Sequence, residues 1–142
     1  IVTHRDPVSI TASFGTMSSY SAWMSRDPVD PHEIGGYWAD RIERMLRTCV
    51  ADRDLLPADS SIDVVFHEFM ADDIAMVERI YDLAGQPFTA DTRAAMEQFM
   101  VDHPRGKHGR VDYRLEDLGL DRAERRAALD FYVERFGVRT ES

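Results

Sequence analysis

Ile1-Val2-Thr3-His4 runs directly into Arg5-Asp6-Pro7, and the change of residue type there forces a change of backbone. The first residues are β-branched and too few for a helix, so they read as the end of a buried strand. Asp6 is a good N-cap, and Pro7 suits the first helical position, where its missing N–H would have no intrahelical partner anyway. The chain therefore passes from strand to turn to helix with a guanidinium at the junction. Unpaired backbone N–H groups and the positive helix end point outward at such a place, which favours an anion. Ser9 and Ser13 follow one turn apart on one helix face. Ser13 lies roughly 10 Å along the helix, so an anion touching both Arg5 and Ser13 must lie alongside it. The same junction also fits an arginine that simply pairs with a carboxylate.

A second cluster stands against the chain's formal net charge of −9. His103-Pro104-Arg105-Gly106-Lys107-His108-Gly109-Arg110 places five basic or titratable side chains in eight residues, and Lys107 is the only lysine among 17 basic residues. Gly106 and Gly109 let the backbone turn tightly and approach a ligand closely. Arginine offers phosphate a planar fork and lysine a point charge. A solvated basic loop between two helices fits these residues as well.

Together the two clusters resemble the 3′-phosphate half of the donor site in sulfotransferases that use 3′-phosphoadenosine 5′-phosphosulfate (PAPS). In that family a strand ends in Arg-(Asn/Asp)-Pro, with a serine eight residues after the arginine, and Arg5, Asp6, Pro7 and Ser13 match at every position. The family's later motif is Arg-Lys-Gly-x-x-Gly. Gly106 and Gly109 keep its spacing, and Arg105 stands where the family has lysine. Pro104 replaces the family arginine, and Lys107 is the residue here that would restore the charge. Between them, Ile62 to Phe66 alternates as a strand and continues into His67-Glu68-Phe69-Met70, where the family often has Tyr-Glu-Asp-Leu. His67 thus falls in the place of a tyrosine that lies near the adenine. The resemblance runs from residue 1 to about residue 113 and is closest to bacterial members.

The resemblance implies an α/β fold, the three-layer P-loop type of the sulfotransferases, of which this chain is the helix-rich C-terminal part with about two parallel strands. It implies binding of PAPS, or of its product 3′-phosphoadenosine 5′-phosphate (PAP), through Arg5, Ser13, His67, Arg105, Gly106 and Lys107. The family's phosphate-binding loop and general-base histidine both precede the Arg-Asp-Pro strand, so no catalytic residue is assigned here, and His4 is no substitute for the base. Residues 1–142 are expected to be a single region that does not catalyse alone. Its partner would be a hydroxylated small molecule, lipid or carbohydrate.

Composition sets outer limits. At 44% hydrophobic and 30% charged the chain is ordinary for a globular protein. The acidic balance argues against nucleic acid, whose phosphates want a basic face. No apolar run approaches the length of a membrane span and no signal-peptide pattern is present, which points to a cytoplasmic protein. Cys49 is alone, which excludes an internal disulfide, and lies on an apolar helix face as a core residue. The five histidines have no metal-ligand spacing, and no Gly-x-Ser-x-Gly is present.

The remaining organisation is mostly helical. A first helix is expected from Pro7 to about Met24, with Met17, Tyr20 and Met24 forming a core stripe or, by the resemblance, a wall near the acceptor. Asp30, Pro31 and Glu33 start a second helix with Ile34, Trp38, Ile42, Met45, Leu46 and Cys49 inside. Asp72 or Asp73 caps a third, ending at Gly85, and Thr89 caps a fourth that ends at His103-Pro104. Leu115 to Gly119 forms a short turn of helix, and Asp121 with Glu124 caps the last helix, through Phe136. Two rival readings remain at this level: a phosphate-loop small-molecule kinase, and a non-catalytic helical interaction domain.

Overall fold

The computed structural model describes residues 1–104, 106, 107, 109 and 111–141. They form two compact units, Ile1–His4 with Leu56–Val111 and Arg5–Leu55 with Asp112–Ser142.

The first unit holds the sheet. Strands β1 (Val2–His4) and β2 (Asp63–Val65) pair in parallel, with Val2 opposite Asp63, Thr3 opposite Val64 and His4 opposite Val65. Val64 and His4 are buried, and the His4 Nε2 lies 2.8 Å from the Asp63 Oδ1. The expected strand from Ile62 to Phe66 is shorter than its alternation implied. Phe66 instead opens helix α3 (Phe66–Ala71), so His67 lies in a first helical turn rather than on a strand end. Asp72 ends α3 and caps α4 (Asp73–Leu83), its side chain accepting from the Ala75 N–H. Helix α5 (Ala90–Asp102) is capped by Thr89 as expected. In α4 only Met76 is fully buried; Ile74, Val77, Ile80 and Tyr81 are half-buried and Ala84 is exposed.

The second unit is helical. Helices α1 (Pro7–Trp23), α2 (Pro31–Asp52) and α6 (Arg122–Phe136) enclose Val8, Ala12, Leu115 and Leu129, with Leu46, Leu120 and Phe131 packed around them. Short 3₁₀ turns at Arg53–Leu55 and Glu116–Leu118 complete it. The stripe expected on α1 is not core: Met17, Tyr20 and Met24 are 56%, 64% and 74% exposed. The helix packs instead through Ala12, Gly15 and Ser19, all buried, because small residues let a neighbour approach closely. Met45 is likewise exposed, and Cys49 only half-buried.

Gly15 on α1 and Gly35 on α2 both face Leu118. A Cβ built on Gly35 would stand 2.6 Å from its carbonyl oxygen and 2.7 Å from its Cβ, and the former is backbone that cannot rotate away. Gly35→Ala is therefore expected to lower stability by about 1–3 kcal/mol through overpacking. Urea unfolding checks it, and Gly36→Ala is the control, since nothing lies within 4 Å of a Cβ there.

Candidate functional site

The site begins with Asp6. Its position ahead of Pro7 makes it the N-cap of α1, and its Oδ1 accepts from the Val8 N–H at 3.1 Å. The Ser9 hydroxyl donates to Oδ2 at 3.1 Å. Asp6 is wholly buried, so a carboxylate here needs more than a cap. Arg126, on α6, supplies it as a fork: Nη1 bonds Oδ1 and Nη2 bonds Oδ2 at 3.0 Å. The backbone N–H of Glu141 adds a further bond to Oδ2 at 2.7 Å, and Arg126 Nη2 also donates to the Glu141 carbonyl at 3.2 Å. Burial by itself pushes the Asp6 carboxyl up. The Arg126 fork and the backbone donors outweigh it and hold the group below its ordinary value.

Arg5 is joined to this assembly from outside. Its Nε donates to one Glu141 carboxylate oxygen at 2.7 Å and its Nη2 to the other at 2.8 Å, a bidentate pair across 136 residues of sequence. That bond, over a smaller burial penalty, raises the Arg5 pKa and keeps the guanidinium charged. Arg5 is thus paired with a carboxylate, as the junction also allowed. Ser13 lies farther along α1, half-buried, and its hydroxyl bonds no other described residue.

The other predicted residues lie in the sheet-bearing unit. His67 is half-buried in α3. After α5, His103 stacks on Phe99 with ring centroids 4.1 Å apart. The chain then turns twice, the Lys107 N–H donating to the Pro104 carbonyl at 3.2 Å and the Gly109 N–H to the Gly106 carbonyl at 2.9 Å. Gly106 and Gly109 have φ of +80° and +82°, and a Cβ on either would meet nothing within 4 Å. Glycine is needed there for backbone conformation, not for space. Lys107 is exposed. Arg105, His108 and Arg110 lie outside the described residues. The structure therefore groups Arg5 and Ser13 in one unit and His67, Gly106 and Lys107 in the other.

Between α1 and α2 lies a cleft of about 570 Å³, lined in part by Met17, Ser21, Arg26, Glu33, Tyr37 and Trp38. The exposed Met17 of the failed core stripe is one of its walls. Among the described residues no group of acidic, histidine or cysteine side chains is arranged to hold a metal ion. No helix among them is long and apolar enough to cross a membrane.

The profile of the sulfotransferase family matches residues 1–90, which contain β1, the Arg5–Asp6–Pro7 junction, Ser13 and β2. The chain belongs to the sulfotransferase family. Its α/β fold is that of a sulfotransferase: it superposes on the crystal structure of sulfotransferase STF9 from Mycobacterium avium with a TM-score of 0.82 at 24% identity. That likeness covers 98% of this chain and 36% of the mycobacterial sulfotransferase, so the chain spans about a third of its length. A comparison with curated proteins returns no match. Membership favours the sulfotransferase reading over the kinase and the interaction domain.

Proposed function

We propose that these residues are the C-terminal part of a sulfotransferase domain that moves a sulfuryl group from PAPS to an acceptor hydroxyl, and that they supply the 3′-phosphate half of the donor site. The observation that carries this reading is the Arg5 fork. In a family member, at the strand–helix junction, its guanidinium already takes two oxygens of one anion at 2.7 and 2.8 Å. A phosphate offers the same pair of oxygens. Ser13, with a hydroxyl not engaged by another described residue, adds a neutral donor along the helix. By the resemblance Arg105, Gly106 and Lys107 are the family's other phosphate-binding positions, and the positive φ of Gly106 and Gly109 is the kind of backbone that presents N–H groups to an anion. His67 stacks on the adenine.

Bound PAPS supplies the activated sulfuryl group. The work of the residues here is positional: they hold the nucleotide end so that the acceptor oxygen meets sulfur in line with the leaving oxygen. The cleft between α1 and α2 is the acceptor site of this reading. Tyr37 and Trp38 present aromatic surface, and Ser21, Arg26 and Glu33 present polar groups, which suits an amphipathic lipid or carbohydrate alcohol.

Titration of PAP into the full-length protein, with 5′-AMP and ATP–magnesium as controls, tests the donor class. Binding that depends on the 3′-phosphate is expected. A preference for ATP–magnesium would retire the reading in favour of a phosphate-loop kinase.

A further inference from the structure

We propose that Glu141 is an internal competitor for the Arg5 fork, so that the protein sets its own affinity for the 3′-phosphate with a carboxylate it carries. The inference rests on the reading of Arg5 just given and adds a residue to which no sequence motif points.

Glu141 does not reach Arg5 by the chance reach of a long side chain. Its backbone is pinned on both sides, the N–H to Asp6 at 2.7 Å and the carbonyl to Arg126 at 3.2 Å. Asp6 is itself wholly buried and held by Arg126, Val8 and Ser9. The side chain therefore starts from a fixed point and ends with one oxygen on Nε and the other on Nη2 of Arg5. That edge of the guanidinium is one on which an oxyanion binds bidentately.

A phosphate arriving at Arg5 has two routes. It takes the same edge, and Glu141 must leave, giving up its ion pair. Otherwise it takes another edge and lies within a few ångströms of a carboxylate, where like charges repel. Both routes weaken binding. The two side chains are 43% and 32% exposed, so solvent screens the pair and keeps it displaceable. Glu141 then reclaims the fork as the nucleotide departs, which favours release of a product that still carries the 3′-phosphate.

The test is calorimetric titration of PAP and of 5′-AMP into the full-length protein and its Glu141→Gln, Glu141→Ala and Arg5→Ala variants, with urea unfolding of each to confirm folding. Both Glu141 variants are expected to bind PAP about three- to tenfold more tightly, with slower release and no change for 5′-AMP. Glutamine keeps an oxygen for Arg5, so it remains readable if the alanine variant unfolds. Unchanged or weaker PAP binding in Glu141→Gln would overturn the competition, and if Arg5→Ala still loses 3′-phosphate dependence the site reading survives it. Indifference of PAP binding to Arg5→Ala would overturn both.

Discussion

Replacing Arg5 with alanine is expected to weaken PAP binding about ten- to a hundredfold, since a charge-assisted hydrogen bond is worth about 1.5–3 kcal/mol. Two effects weaken binding, and they outweigh the small gain from no longer having to break the Arg5–Glu141 pair. The phosphate loses a fork of donors, and Glu141 loses the partner that neutralises it, so a bare carboxylate is left where the phosphate must lie. The fold should hardly notice. The Arg5–Glu141 pair is partly exposed, and such pairs contribute at most about 1 kcal/mol to stability. A large change in PAP affinity with little change in urea midpoint is therefore the signature of a binding residue. Arg5→Lys should recover only part of the loss, because an ammonium keeps the charge and not the planar fork. Equal binding of PAP by the alanine variant and the parent would remove Arg5 from the site.

What the sequence made legible was local. Asp6 and Pro7 announced the start of α1, Asp30, Thr89 and Asp121 cap the helices they were expected to cap, and of the two candidates for α4 it is Asp72 that caps, because a capping side chain and its N–H partner lie within three residues of each other. Two parallel strands were expected, and the structure adds that β1 and β2 are each other's hydrogen-bonded neighbours. Gly106 and Gly109 have the positive φ that their tight turns require. Helix α3 was missed because it leaves β2 without a capping side chain: Val65, at its N-cap, has none to offer, and the alternation of Ile62 to Phe66 hides the change of period. The exposed stripe of α1 was misread because its packing face is chosen by Leu118, about a hundred residues away, and periodicity does not say which of two plausible faces meets a partner. The contacts of Arg126 and Glu141 with the junction join residues 120 or more apart, and a pairing at that range leaves no spacing to read.

Arg126 carries the largest expected effect on stability. Its fork neutralises a carboxylate that is wholly buried, while its own side chain is only a quarter exposed. Arg126→Met keeps much of the aliphatic stem and removes the charge, leaving Asp6 with the Val8 and Glu141 N–H groups and the Ser9 hydroxyl. Breaking a buried pair from one side costs about 3–5 kcal/mol, and the donors that remain place this variant near the lower figure. The sign of the pH dependence separates this cause from lost packing. In the parent, the folded Asp6 pKa is depressed, so its contribution is present above the unfolded value of about 3.9 and is lost as pH falls through the folded one. Without Arg126, burial is opposed only by the backbone donors, so the folded pKa rises towards or past the unfolded value, and the stability that the ionised group contributes above that value is reduced or reversed. Urea midpoints of parent and variant should therefore lie far apart at pH 7 and converge as pH is lowered towards 4. A gap that stays constant over that range would assign the loss to packing and take the Asp6 charge out of the account.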